Sequence, residues 1–150
     1  MSSRFGNNKF KARLGLDERP QNTRSEKKVK GEIPLLVFSF KDFDSNQCPP
    51  GQTFKEWEKG ELLAPLMTKL VELSNKNRVI ASLEGCLSTY DTFPEDSDFK
   101  KPKYIEGDVQ WATIKDVGGQ LHRVAGYIVD NVFYVVFLDK EHKFYKMKNK

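Results

Sequence analysis

The C-terminal third of the chain carries two consecutive hairpin signals, and they restrict the fold more than any other feature. Apolar and polar residues alternate enough through Val109–Val117 to predict a strand, and Gly118–Gly119 follow it as a turn. A second strand is predicted over Leu121–Val129 and a third over Val132–Leu138. Between these two, Asp130–Asn131 favour a tight turn of type I′. Tandem hairpins of this kind predict an antiparallel meander.

The region before the meander predicts one strand and two helices. Leu35–Phe40 is apolar and rich in residues that favour extended structure, which indicates a buried strand. A short helix is expected after Thr53, because Thr53 and Glu56 have the spacing of a capping box, and Gly60 interrupts it. Apolar residues then recur at helical spacing over Leu62–Ser74, either as a second helix or as the continuation of a kinked one.

The remaining stretches give weaker signals. Residues 75–110 have no sustained period, and within them Cys86–Tyr90 favours a short strand. Phe144–Tyr145 predicts a last short extended piece. The order of a strand, two helices and at least three antiparallel strands predicts an α+β fold with one layer of helices on a sheet.

The net charge of +4 is distributed unevenly along the chain. Residues 1–30 contain nine basic and three acidic residues, a balance of +6, whereas residues 31–139 contain 11 basic and 17 acidic residues, a balance of −6. From Lys140 onward there are five lysines and one glutamate, a balance of +4. Low hydrophobicity with excess charge is typical of a segment that does not fold alone. We therefore predict a basic, flexible arm over 1–33, a folded domain over 34–146 and a basic tail over 147–150.

Several protein classes are excluded by what the sequence lacks. No run approaches the 18 apolar residues of a membrane span, and the N-terminus has no apolar signal-peptide core, so a cytoplasmic protein is expected. Two cysteines and two histidines form no recognisable ligand cluster, so reduced thiols and no metal are expected. The chain has no phosphate loop, dinucleotide-binding glycine pattern, nucleophile elbow or zinc-protease helix, and no cofactor is expected.

Polar residues on the meander supply the candidate chemistry. Because side chains alternate across a strand, Arg123 shares a face with Leu121, Ala125 and Tyr127, and His122 lies on the other face. A charged side chain among apolar strand neighbours is costly unless it is paired or functional. Metal-free RNA cleavage needs a base for the ribose 2′-hydroxyl, a cation for the phosphate and an acid for the leaving 5′-oxygen. Histidine, lysine and tyrosine can act as base or acid, and arginine suits the phosphate.

The segment His122–Tyr145, preceded by Trp111–Lys115, resembles the C-terminal half of the RelE/ParE-type toxins of bacterial toxin–antitoxin modules. The similar features are a strand containing tryptophan, a strand opening with arginine, a turn, an apolar strand and a closing segment with histidine and tyrosine. The order of strand, helix, helix and meander is also similar. The resemblance covers roughly residues 35–146, most strongly the last 35 of them, and implies a RelE-like α+β fold.

This resemblance implies a metal-independent endoribonuclease toxin that cleaves mRNA by attack of the 2′-hydroxyl. Arg123 matches the family arginine that contacts substrate phosphate, Tyr145 resembles the tyrosine near the chain end, and His142 resembles the histidine shortly before it. Lys115 lies on a strand where family members carry basic residues. The implied partners are mRNA, free or on the ribosome, and a cognate antitoxin. Lysines of the basic patch and of the basic end are predicted to bind nucleic acid, namely Lys100, Lys101, Lys103, Lys140, Lys143 and Lys146.

Two other functions fit the same pattern. A non-catalytic RelE-like protein, such as a regulator from a phage or mobile element, would use the basic arm or the acidic body to bind a protein or nucleic acid. A toxin of the ParE kind would poison gyrase and would not cleave RNA. Expression toxicity, loss of RNA and induction of DNA damage distinguish these functions from one another.

Overall fold

The structure, a computed structural model, describes residues 32–146. The chain divides between Pro34 and Leu35 into two units, and the fold described below is that of the second. The predicted basic tail lies outside the described residues, as does the predicted arm except for its last two residues.

Within residues 32–146 the chain forms five strands and three helices. The strands are β1 (Val37–Ser39), β2 (Leu87–Tyr90), β3 (Gln110–Ile114), β4 (Arg123–Val129) and β5 (Val132–Asp139). The helices are α1 (Phe54–Lys59), α2 (Leu63–Ser74) and α3 (Arg78–Leu83).

All five strands belong to one sheet with the order β1-β5-β4-β3-β2. Strand β1 pairs in parallel with β5, and the other neighbouring strands are antiparallel. The chain therefore starts at one edge of the sheet, crosses through the helices to the other edge, and returns through the meander. The predicted α+β class and the predicted meander are confirmed.

The helices form where local sequence signals favour them. Thr53 caps α1 in the predicted capping box, with its hydroxyl accepting the Glu56 amide at 3.1 Å and the Glu56 carboxylate accepting the Thr53 amide at 2.8 Å. In α2 the buried residues Leu66, Leu70 and Leu73 form the predicted apolar stripe.

Helix α3 is an addition to the two predicted helices. Asn77 caps it by accepting the Ile80 amide at 2.8 Å. The helix has six residues, and among its apolar members Val79, Ile80 and Leu83 are exposed. It therefore has no buried stripe long enough for a helical period to be read from the sequence.

The sheet is covered differently on its two faces, which we call the helix face and the loop face. On the helix face, residues of all three helices pack against mainly aliphatic strand residues in one core cluster. On the loop face, the 91–109 connection and the segment after β5 cover the strands with aromatic side chains, and no helix residue belongs to this cluster. The predicted single layer of helices is correct, but irregular chain covers the other face.

A β-bulge between β4 and β5 changes which face the end of β5 presents. Ala125 pairs with Phe137 and Gly126 pairs with Val135, so Val136 is the extra residue. The strands approach so closely here that a Cβ on Gly126 would lie 1.9 Å from the Tyr134 carbonyl oxygen, and only glycine fits. Strict alternation from Val135 would put Phe137 on the helix face. Because of the extra residue, Phe137 lies on the loop face instead.

Two predictions about strands were wrong. The first strand is three residues long and half-exposed instead of buried, because β1 lies at the sheet edge and has a neighbour on one side. Leu36, just before it, is the buried residue of the predicted run. Phe144–Tyr145 is not extended, because the Phe144 amide binds the Asp139 side chain and the chain bends there.

Two predictions about turns were also wrong. Gly118–Gly119 do not form a tight hairpin turn, because β3 ends at Ile114 and β4 begins at Arg123, which leaves an eight-residue connection over 115–122. The two-residue turn between β4 and β5 is present, but its left-handed backbone is at Asp130 (φ 55°) and not at Asn131, whereas type I′ requires both.

Candidate active site

The four residues predicted to be catalytic line one pocket at an end of the loop face. We call this the candidate pocket; its volume is about 180 Å³. It spans β2, β3, β4 and β5 and is closed on one side by the segment that follows β5. Its lining residues are Ser88, Tyr90, Thr113, Lys115, Arg123, Asp139, His142 and Tyr145.

Strand alternation and register bring the strand residues of this pocket together. Ser88 of β2 pairs with Thr113 of β3, and Arg123 of β4 pairs with Asp139 of β5. Lys115 follows Thr113 by two residues and therefore continues the same face. Ser88 and Thr113 were not among the predicted site residues, although each lies two residues before another pocket residue, Tyr90 and Lys115 respectively, and this spacing was a usable signal.

Asp139 holds the segment that carries the two remaining predicted residues. Its carboxylate accepts the Lys143 amide and the Phe144 amide, both at 2.8 Å. Asp139 is 1% exposed, and burial raises the pKa of its carboxyl group although the two amides act in the opposite direction. Phe144 is fully buried and packs beside Trp111. The segment is thereby fixed over the sheet with His142 and Tyr145 at the pocket.

His142 lies half-buried in the pocket with a left-handed backbone (φ 62°). Burial lowers the pKa of its imidazole, and the positive charges of Arg123 and Lys115 lower it further, against the opposing effect of Asp139. An ordinary histidine has a pKa of about 6.5. His142 is therefore mainly neutral at pH 7 and able to accept a proton.

Arg123 and Lys115 supply positive charge to the pocket. The Arg123 guanidinium donates hydrogen bonds to the Gln120 carbonyl and, at 3.3 Å, to the His122 carbonyl, which orients it without neutralising it. Among residues 32–146, neither Arg123 nor Lys115 forms a salt bridge. An anion entering the pocket would thus meet two cations whose charge is not already compensated by a carboxylate contact.

Two tyrosines form the aromatic wall of the pocket. The rings of Tyr90 and Tyr145 stack with centroids 4.4 Å apart and an interplanar angle of 17°. The Tyr90 hydroxyl lies 3.0 Å from the Thr113 hydroxyl, and burial raises the pKa of Tyr90. Tyr145 is 43% exposed, so it stands at the pocket entrance. Tyr145 was a predicted site residue, whereas Tyr90, its stacking partner, was not.

The six lysines predicted to bind nucleic acid are not brought together at the pocket. Lys143 pairs with Glu141 at 3.0 Å, Lys146 pairs with Asp98 at 2.8 Å, and the Lys101 ammonium donates to a backbone carbonyl at 3.3 Å. The others, Lys100, Lys103 and Lys140, are exposed. None of the six lines the candidate pocket. Their role in binding stays a prediction.

In residues 32–146, no three or more histidine, cysteine, aspartate or glutamate side chains are grouped so that they could hold a metal ion. None of the helices in this part of the chain is long and apolar enough to cross a membrane. Cys48 and Cys86 are free thiols.

Comparison with protein-family models, with curated proteins and with solved structures gave no match for this chain. The function is therefore inferred from the candidate pocket and its chemistry.

Proposed function

We propose that this protein is a metal-independent endoribonuclease that cleaves mRNA through its candidate pocket. The observation that supports this function is the convergence of Arg123, His142, Tyr145 and Lys115 on one pocket, although they come from β4, the β3–β4 connection and the segment after β5. The pocket thus offers a proton acceptor, phenol donors and cations within one small volume, which is the set of groups that the reaction needs.

The reaction begins with removal of a proton from a ribose 2′-hydroxyl. His142 accepts that proton, because its imidazole is mainly neutral at pH 7. The 2′-oxygen then bonds to the adjacent phosphorus, and the bond from phosphorus to the 5′-oxygen breaks. Tyr145 donates a proton to the leaving 5′-oxygen. The products are a 2′,3′-cyclic phosphate and a 5′-hydroxyl, and neither water nor an oxidant is consumed.

Arg123 binds the phosphate as negative charge builds on its non-bridging oxygens. A guanidinium suits this task because it stays protonated and offers parallel N–H groups. Lys115 adds positive potential beside it. This local positive charge matters because residues 31–139 have a balance of −6, so the rest of the body repels RNA.

We extend the proposal to a RelE/ParE-like toxin acting in the cytoplasm with a cognate antitoxin. Support comes from the order of elements, in which a strand, helices and a meander follow one another, and from the arginine that opens β4. Helix α3 and the long 91–109 connection are not part of the strand, two helices and meander that the resemblance implies.

Cleavage of defined RNA tests the proposed function. The full chain is incubated with end-labelled mRNA in two settings, free in EDTA and on translating ribosomes in magnesium buffer, and the product ends are identified. We expect 2′,3′-cyclic phosphate and 5′-hydroxyl ends, and no cleavage where the attacking ribose is replaced by 2′-deoxyribose. Intact RNA in both settings would show that the endoribonuclease function is wrong.

Matched variants connect cleavage to the pocket. Arg123→Ala should abolish most activity and Arg123→Lys should restore part of it, while Lys55→Ala, on an exposed position of α1, should cleave like the wild type. RNA binding without cleavage would instead support the non-catalytic regulator, and induction of DNA damage without RNA loss would support gyrase poisoning.

A further inference from the structure

A second, shallower cavity adjoins the candidate pocket and shares two of its residues. This side groove has a volume of about 530 Å³ and is lined by Asp116, Gln120, Leu121, Arg123 and His142. Arg123 and His142 also line the candidate pocket. A chain whose phosphate is held by Arg123 therefore has space for a neighbouring group in the side groove.

Asp116 is held in place by the residues on either side of it. The Lys115 amide donates to the Cys86 carbonyl at 2.9 Å, and Val117 is fully buried. Gly118 approaches Pro65 so closely that a Cβ on it would lie 2.9 Å from the proline side chain. Asp116 itself has a left-handed backbone (φ 60°) and is exposed. Its backbone is thus held in a fixed position beside the side groove, which lowers the entropy cost of binding.

The Asp116 carboxylate is available to a ligand. Among residues 32–146 it forms no salt bridge, and Lys69, which lines a neighbouring surface hollow together with Asp116, pairs with Glu72 at 3.3 Å. Leu121 beside it is 55% exposed and offers an apolar surface for a flat ring. The side groove therefore combines a two-oxygen acceptor with an apolar platform.

We propose that the side groove selects a guanine base next to the cleaved phosphate, with Asp116 as the residue that determines specificity. A carboxylate has two parallel acceptors and no donor, so it matches a base edge with two adjacent N–H donors. Guanine has such an edge in its N1–H and its 2-amino group. Adenine and cytosine place an acceptor beside their amino group, and uracil has one N–H between two carbonyls. This specificity rests on the proposed endoribonuclease function.

A peptide arginine also offers two parallel N–H donors, but the charges at the side groove disfavour it. Arg123 lines the groove, and both Arg123 and Lys115 act electrostatically on His142 there. A second guanidinium would be repelled by these cations, whereas a neutral base linked to a phosphate is attracted by them.

Short RNAs with a single cleavable position test the specificity. All riboses but one are 2′-O-methylated, and the base on either side of the remaining 2′-hydroxyl is guanine, inosine, adenine, cytosine or uracil. We expect cleavage to be about 10- to 100-fold faster with guanine than with adenine at one of the two sides, the range of one good paired contact. Inosine, which lacks the 2-amino group, should lie between them.

The Asp116→Asn variant tests the residue. Asparagine tolerates the left-handed backbone as well as aspartate does, but its amide replaces one acceptor by a donor. We expect Asp116→Asn to cleave RNA with a guanine preference below about twofold. The control is Asp130→Asn, which makes the same change at another left-handed aspartate, in the β4–β5 turn, and should keep the full preference. Equal preference in Asp116→Asn and wild type would overturn the assignment.

A binding experiment separates this inference from the proposed function. Guanosine, inosine and adenosine 5′-monophosphates and an arginine-containing peptide are titrated into the labelled full chain, with amide shifts of residues 115–123 as the readout. Selective guanosine monophosphate binding without RNA cleavage would refute the endoribonuclease and keep the guanine site. Cleavage without base preference would refute the guanine site alone, and shifts caused by the peptide alone would show a protein ligand instead.

Discussion

The two faces of the sheet differ in how they are covered and in what their residues do. On the helix face, α2 packs a regular row of leucines against the strands. On the loop face, aromatic residues from distant parts of the chain meet, as where Phe93 and Phe144 both contact Trp111. The aromatic cover ends at the candidate pocket. The helix face thus stabilises the sheet by burying apolar side chains that recur at helical spacing. On the loop face, one end of the sheet has no aromatic cover, and polar groups are exposed there.

The largest expected effect is on stability and comes from the helix face. Leu66 of α2 is 1% exposed, so Leu66→Ala should lower the free energy of unfolding by about 2–5 kcal/mol through lost burial and a cavity. Its neighbour Met67 is 53% exposed, and Met67→Ala should change stability by less than about 0.5 kcal/mol. Denaturant unfolding measures both. Similar losses for the two variants would contradict the burial difference along α2.

The next effect is on catalysis and comes from the loop face. Arg123→Ala should slow cleavage by about 10²–10³-fold, because one preorganised stabiliser of the transition state is lost. The melting temperature should stay close to that of the wild type, because Arg123 is half-buried and its hydrogen bonds are to loop carbonyls. Single-turnover cleavage and thermal unfolding are measured on the same sample. A variant that unfolds but retains its rate when folded would assign Arg123 a structural role.

A smaller effect, on both stability and cleavage rate, is expected from Asp139. Asp139→Ala leaves one buried and one part-buried amide without their acceptor, which should cost about 1–3 kcal/mol and loosen the segment that bears His142 and Tyr145. Hydrogen exchange at Lys143 and Phe144 should accelerate, and cleavage should weaken.

The matched control for Asp139→Ala is Asp98→Ala. Asp98 is exposed and pairs with Lys146, so its loss should cost less than about 1 kcal/mol and leave exchange in the segment unchanged. Equal effects of the two substitutions would show that the segment is not held by Asp139.

The smallest effect is on the pH dependence of cleavage. Since the pKa of His142 is lowered, the neutral base is present at pH 7 and above and is lost as the pH falls through that pKa. We expect the rate to be level between about pH 7 and pH 8 and to fall on the acidic side, below the pKa of about 6.5 of an ordinary histidine.

Lys115→Gln sharpens this prediction. Removal of one cation beside His142 should raise the pKa of the imidazole and move the acidic limb to higher pH, and the rate at pH 8 should also fall because the phosphate loses one cation. An acidic limb that does not move in Lys115→Gln would show that His142 is not the group that titrates.

Prediction from sequence worked where the signal is local. The Thr53 capping box, the leucine row of α2 and the three strands of the meander depend on residues within a few positions of one another, and each is present. Helix α3 was missed because its six residues expose most of their apolar side chains. The candidate catalytic residues were predicted from residue type and from the family resemblance. Tyr90 was recognised only in the structure, because its ring stacks on that of Tyr145.

The sequence alone determined the α+β class, the meander and the alternation that separates Arg123 from His122, whereas the structure put Arg123 on the face opposite the helices. The tertiary structure decided the rest of the pocket, since the bulge beside Gly126 turns the end of β5 and lets Asp139 face Arg123. Such a bulge depends on the close approach of two strands, and the order of apolar residues does not encode it. The placement of His142 and Tyr145 likewise follows from two amide hydrogen bonds to Asp139 and from the packing of Phe144 among aromatic residues far away in the chain.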